Sequence, residues 1–235
     1  MTARATALCA SGAAAWWCWP APLPLTPKLS ECLGIPCRLT SRRGVALTFD
    51  DGPHPQGTPA VLDALAAFGA TATFFLVGEQ VVRWPRIAAQ IAAAGHEIGL
   101  HGYRHQLLLR RTVRALADDL ERAAEVIAAA TGHAPRCYRP PYGVFSSGAL
   151  KLVRQRGWAP LLWSRWGRDW GPRETSYDIT RRVTRFLTPG DVVLLHDADH
   201  YSAPDSWRRT LGALPSILAA VERLEEPFVP VSERT

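Results

Sequence analysis

The 235-residue sequence has no uncharged apolar run of the ~20 residues that a membrane-spanning helix needs. It also has no C-x-x-C pair, no internal repeat and, after residue 44, no low-complexity linker. Dithiol redox motifs and repeat arrays are thereby excluded. Its five cysteines, Cys9, Cys18, Cys32, Cys37 and Cys137, are odd in number and cannot all pair. Cys32 and Cys37 are near enough in sequence to pair or to share a metal, but no second ligand pair stands beside them. Buried free thiols are the expectation. Charge is scarce: 20% of residues are charged and 47% apolar, which excludes a disordered or collagen-like chain. A chain of this length buries about 70% of its unfolded surface and needs neither disulfide nor metal to fold.

The charge that is present is uneven. Lys and Arg number 27 against 21 Asp and Glu, a net of +6. Residues 1–49 hold Arg4, Lys28, Arg38, Arg42 and Arg43 against Glu31, so +4 of the excess lies there and only +2 in residues 50–235. A basic tail suits an anionic membrane or wall better than base readout, with ordinary solvation the plainer account, and no nucleic-acid partner is expected. Residues 5–27 carry no charge. Ala5 to Trp19 has the length of a signal-peptide core, diluted by Thr, Ser and Gly, and Pro20, Pro22, Pro24 and Pro27 favour an extended run. Residues 1–44 therefore read as an extension: a tail packed on the domain, an export signal or an interfacial anchor. Localisation follows that choice, to the cell envelope or outside with an export signal and to the cytoplasm without one. Residues 45–235 read as the catalytic domain.

From Val45 onward, short β-prone runs alternate with amphipathic segments. Strands are expected at Val45–Phe49, Ala70–Val77, Glu97–Leu100, Cys137–Arg139, Leu161–Trp163, Val192–Leu195 and Phe228–Val231. Helices are expected at Pro59–Phe68 (N-capped by Thr58), Pro85–Ala94, Thr112–Thr131, Ser147–Arg156, Tyr177–Leu187 and Leu214–Leu224. Strands alternating with helices imply an α/β fold with a parallel sheet, and seven such units in under 200 residues fit a compact, incomplete barrel.

Parallel α/β folds build their sites at the C-terminal ends of strands. The unusual polar residues collect there: Asp50-Asp51-Gly52-Pro53, His101-Gly102-Tyr103-Arg104-His105, Arg139-Pro140-Pro141-Tyr142-Gly143, Asp169-Trp170 and His196-Asp197. Singly, each has an ordinary explanation. Asp-Asp-Gly-Pro is a good turn. The His pair lacks the Glu of a zincin helix, Gly102 standing in its place. His196 alone would be a satisfied core histidine. Together they are more specific. One carboxylate and two imidazoles make a three-ligand set for catalytic Zn²⁺, a second carboxylate can take a proton from water, and a separate His can protonate a leaving group.

These five strings, in this order, resemble the polysaccharide deacetylase family. The resemblance implies a distorted (β/α)7 barrel with parallel strands and metal-dependent hydrolysis of N-acetyl groups on a glycan of chitooligosaccharide or peptidoglycan type. It implies that Asp51, His101 and His105 bind the metal, zinc or another divalent ion. It makes Asp50 the general base, oriented by Arg139, and His196 the general acid. It places the Tyr142 backbone N–H at the oxyanion and sets Leu194 and Trp170 around the acetyl methyl.

One position departs from the family pattern. An Asp is usual three residues before the Asp169-Trp170 pair, in support of the acid histidine; here Trp166 stands there. Without that carboxylate, His196 is expected to have a lower pKa, unless Asp169, Asp197 or Asp199 substitutes. The departure motivates a second reading, a non-hydrolytic glycan-binding protein on the same scaffold, and a deacetylase of small N-acetylated amines is a third. Trp158, Trp163, Trp166, Trp170 and Trp207 crowd the second half of the domain, mostly as core, with one or two as sugar contacts.

Overall fold

A computed structural model describes residues 27–232. Cys9, Cys18, the apolar stretch from Ala5 to Trp19 and the first three prolines of the extended run lie outside the described residues. Among the described residues, no helix is long and apolar enough to cross a membrane.

Seven strands form one sheet: β1 (Ala46–Asp50), β2 (Thr73–Leu76), β3 (Glu97–Leu100), β4 (Cys137–Tyr138), β5 (Ala159–Pro160), β6 (Arg165–Trp166) and β7 (Val192–His196). Their order is β5-β4-β3-β2-β1-β7-β6, every adjacent pair parallel, so the sheet curls into a (β/α)7 barrel left open between β5 and β6. β1 is buried at all five positions, and all residues of β2 are buried too. Continuous apolar runs suit strands covered on both faces.

The helices are α1 (Pro27–Cys32), α2 (Gly57–Ala67), α3 (Gly78–Arg83), α4 (Pro85–Ala93), α5 (Val113–Thr131), α6 (Ser147–Gln155), α7 (Ser176–Thr184) and α8 (Ser206–Glu222). α5 has the expected ends: the Thr112 hydroxyl accepts the Ala115 N–H, and Gly132 closes it with φ 75°. Its Leu116, Leu120 and Ile127 are buried.

Several elements differ from the sequence reading, each for a physical reason. α2 begins at Gly57, and Thr58 does not cap it: its hydroxyl donates to Asp197 and accepts the His54 N–H at 2.7 Å. His54 Nδ1 takes the free N–H groups of Gln56 and Gly57 instead, at 3.2 and 2.8 Å. Leu161–Trp163 is the crossing at the open seam, between two strands of two residues each. Phe228 makes only an isolated bridge to Val45; Pro227 and Pro230 lack the N–H groups a ladder needs. α8 starts at Ser206, eight residues before the expected Leu214, and accommodates Pro215 inside it. α1 and α3 have no counterpart in the expected elements.

Residues 30–44 pack on this sheet. Ile35 and Cys37 are fully buried in the core. Leu162 donates its N–H to Pro36 at 3.0 Å, and Arg38 pairs antiparallel with Asp191 while its guanidinium meets that carboxylate at 2.7 Å. Cys37 and Cys137 are buried free thiols as expected, whereas Cys32, at the end of α1, is free but exposed.

Candidate active site

The polar residues singled out by sequence converge on one pocket of about 300 Å³ at the C-terminal ends of the strands. β1 ends at Asp50, 3% exposed, and the next residue, Asp51, has φ 78°. This left-handed turn lets two consecutive acidic residues leave one strand end in different directions. β3 delivers His101, and Gly102 follows with φ 95°. β4 delivers Arg139, and β7 ends at His196.

Asp51, His101 and His105 form one cluster. Asp51 Oδ1 lies 3.4 Å from His101 Nε2 and 3.3 Å from His105 Nε2. That oxygen is buried and has no hydrogen-bond partner among the described residues. Donors held tetrahedrally at ~2.0–2.1 Å from one ion lie about 3.3–3.4 Å apart, so the residues fit a zinc-sized cation. His101 Nδ1 is 2.8 Å from the Arg139 carbonyl; with the proton there, Nε2 presents its lone pair to the cluster. Burial lowers the His105 pKa to about 4, so this imidazole is neutral and free to ligate. Burial alone would raise the Asp51 carboxyl; contact with His101 and the charge of His196 more than reverse it, and the group stays ionised.

Asp50 sits beside this cluster, Oδ2 at 3.9 Å from His101 Nε2. Its Oδ1 accepts a 2.7 Å bond from Arg139 Nη1. Arg139 is fully buried and also donates to Thr48 Oγ1 at 2.7 Å and to the Leu162 carbonyl at 3.0 Å. Its guanidinium lies 4.2 Å from the Phe75 ring centre. An arginine held at so many points fixes one carboxylate orientation.

His196 lies on the other side, Nε2 at 3.9 Å from Asp51 Oδ2. Of the three acids that could replace the absent carboxylate, the structure brings Asp169 to His196. Asp169 is 2.9 Å from His196 Nδ1, accepts the His196 backbone N–H at 2.7 Å and accepts the Thr210 hydroxyl at 2.7 Å. Burial works against the charged imidazolium, but the Asp169 charge and hydrogen bond, with Asp51 and Asp50 behind them, raise its pKa to about 10. The Asp169 contribution does not depend on what the neighbouring cluster holds. Of the three acids considered, Asp197 is buried on the Thr58 hydroxyl with its pKa raised to about 7, and Asp199 faces His54 at 3.3 Å.

The apolar side of the pocket holds Leu194, 3% exposed, and Trp170, whose ring stands edge-on to His196 at 5.6 Å. Tyr142 lines the mouth with φ 60°, its ring edge-on to His105 with the ring centres 4.5 Å apart. Sequence reasoning missed Tyr201. Its ring stacks on His105 at 4.3 Å and 12°, while its hydroxyl donates to Glu79 at 2.6 Å and accepts from Gln80 at 2.9 Å. His105 Nδ1 has no hydrogen-bond partner among the described residues, so the two tyrosine rings, rather than an N–H contact, hold this imidazole. A second cluster, His54, Asp199 and His200, is also within ligating reach. There His54 Nδ1 already accepts two N–H groups and His200 Nε2 lies 3.2 Å from the Pro53 carbonyl, so it braces the loop.

Residues 38–161 match the polysaccharide deacetylase family. The chain is 34% identical to a peptidoglycan-N-acetylglucosamine deacetylase of Bacillus cereus, over 80% of this chain and 86% of that protein. The chain belongs to this family. It is also 35% identical to a chitooligosaccharide deacetylase of a Bradyrhizobium strain, over 79% of this chain and 87% of that protein. Among solved structures, a peptidoglycan N-acetylglucosamine deacetylase bound to an N-hydroxybenzamide superimposes with TM-score 0.74 at 32% identity, covering 80% of this chain and 85% of that one. A family pseudoenzyme from Bacillus anthracis superimposes with TM-score 0.73 at 27% identity, covering 81% of this chain and 64% of that one. Family membership therefore settles the fold, and activity has to be argued from the side chains.

Proposed function

We propose that this polysaccharide deacetylase homologue hydrolyses N-acetyl groups on amino-sugar glycans, with a divalent cation, zinc foremost, held by Asp51, His101 and His105. One observation carries the reading: an Arg139-paired carboxylate and an Asp169-paired imidazole flank the three-ligand cluster inside a single pocket. When bound, the cation supplies Lewis acidity, polarising the amide carbonyl and bringing the pKa of water towards ~7.

The chain's own residues do the rest. Asp50 Oδ2 takes a proton from the attacking water as its oxygen adds to the acetyl carbon. Arg139 pairs with Asp50 Oδ1 and so orients its free oxygen. The Tyr142 backbone N–H supports the charge developing on the former carbonyl oxygen. Collapse of the tetrahedral intermediate needs a proton on the amine, and His196, kept protonated by Asp169, donates it from Nε2. Water and amide are consumed; acetate and a free amine leave. Leu194 and Trp170 enclose the methyl group and exclude water from it.

Metal-loaded protein should release acetate from acetylated chitooligosaccharides or peptidoglycan fragments, and chelation should stop it. Absence of acetate from every N-acetylated amino sugar tried would overturn the reading. The pseudoenzyme relative motivates the non-hydrolytic alternative, but acid, base and ligand positions are all filled in this chain.

A further inference from the structure

Trp166 takes the place of the expected carboxylate, and its surroundings give it a use. Its indole is 36% exposed and stands between Trp163 (6.0 Å, 29°) and Trp170 (5.5 Å, 58°), on the wall of the catalytic pocket. It also lines a second groove of about 300 Å³, together with Arg165, Arg181, Arg182, Arg185 and Phe186. The two cavities thus share one aromatic wall.

The second groove is strongly basic. Residues 164–187 hold six arginines against three acids, one of which, Asp169, is turned inward on His196. Their net of +3 exceeds the +2 of residues 50–235 as a whole, so the catalytic domain's excess positive charge is concentrated beside the site. Arg165 and Arg182 are tied to Asp191 and Glu174. Arg181 is more than half exposed and, among the described residues, makes no contact with a carboxylate shorter than the 3.9 Å to Asp178, which Thr175 holds in the cap of α7. Arg185 lies over the exposed Phe186 ring at 4.9 Å and has no carboxylate partner among the described residues. Two guanidinium groups are therefore available to an outside anion.

Building on the deacetylase reading, we propose that this groove is a subsite for a glycan strand carrying carboxylates. One sugar ring would stack on Trp166, and a neighbouring carboxylate would meet Arg181 and Arg185. Aromatic faces suit the apolar faces of sugar rings, and guanidinium groups suit carboxylates. Trp166 lines both cavities, so a strand crossing it would pass from the pocket into the groove. This favours peptidoglycan-type strands over uncharged chitooligosaccharides, the two substrate classes in the relatives' names.

The test compares KM for acetate release from soluble peptidoglycan fragments and from acetylated chitooligosaccharides of equal length. Wild type, Arg185→Gln, the Arg181→Gln/Arg185→Gln double variant and Arg86→Gln, an exposed arginine on α4 between β2 and β3, are compared. The peptidoglycan-to-chitooligosaccharide KM ratio should rise roughly two- to fivefold per groove arginine, the range for exposed charge contacts, and stay unchanged in Arg86→Gln. Raising salt from about 50 to 200 mM should raise the wild-type KM for peptidoglycan selectively. A ratio unmoved in the double variant, or equal salt dependence for both substrates, overturns the subsite. In parallel, fragments of both kinds are titrated into Asp50→Asn carrying the same arginine changes. If wild type releases no acetate at all, the deacetylase reading fails, and this binding arm still decides the groove by the same ratio.

Discussion

Asp169→Asn is the substitution that most directly isolates the acid half of the site. Asp169 is 1% exposed, and its Oδ2 accepts from the His196 backbone N–H and the Thr210 hydroxyl while Oδ1 faces His196 Nδ1 at 2.9 Å. Asparagine can keep the first two bonds with its carbonyl oxygen, and its NH₂ then points at Nδ1. Only a neutral imidazole with its proton on Nε2 accepts that contact, because an imidazolium would set two donors against each other. The lost charge-assisted bond is worth ~1.5–3 kcal/mol, and ~1.4 kcal/mol corresponds to one pH unit. The alkaline limb of kcat/KM should therefore move down by about one to two pH units from its wild-type position. The sign is fixed: the required form of His196 is protonated, so activity is lost as pH rises through its pKa. Where the imidazole has become neutral, the rate should fall by ~10²–10⁴-fold, the usual worth of a general acid. The assay is acetate release across the pH range at fixed, saturating zinc. An alkaline limb in the same place in wild type and variant would refute the assignment of Asp169 as the partner that holds His196 charged.

The other predictions concern the metal cluster and its supports. His101→Ala should lose bound zinc, with elemental analysis giving one ion per wild-type chain and well under one in the variant; full retention would move the site elsewhere. Arg139→Ala leaves the Asp50 carboxylate buried without its partner, and breaking such a pair costs about 3–5 kcal/mol. Its urea midpoint should drop accordingly, and a change under ~1 kcal/mol would show that water replaces the guanidinium. Tyr201→Phe removes the hydroxyl bonds to Glu79 and Gln80 but keeps the ring on His105. Zinc affinity, read by competition with a chromophoric chelator, should stay within about twofold because the stacked ring is kept; a loss of roughly tenfold, the size found for groups bonded to a metal ligand, would assign the orientation to the hydroxyl instead.

The contrast between what was and was not legible in the sequence has a physical origin. Asp50, Asp51, His101, His105, Arg139 and His196 could be grouped because each follows a β-prone run, and parallel strands bring their C-terminal ends to one face. Asp169 was recognisable as part of a motif, but its bond to His196 depends on Thr210, and the expected start of α8 at Leu214 left Thr210 outside the helix. Tyr201 lies in the loop between β7 and α8, whose path no periodicity reports. His54 takes the capping part expected of Thr58 because a ring nitrogen can accept helix N–H groups as a hydroxyl can, and the Thr58 hydroxyl is held by Asp197. The two short strands at the seam were missed because a two-residue strand has no period to detect.

The most direct test of the account is acetate release and zinc content measured on the same samples of wild type and Asp50→Asn. Asp50 is placed as the base and not as a ligand, so the variant should keep about one zinc per chain while acetate release falls by at least ~10²-fold. Loss of zinc in Asp50→Asn would make Asp50 a ligand, and undiminished acetate release would remove it from the chemistry; either result contradicts the division of labour between the two adjacent aspartates.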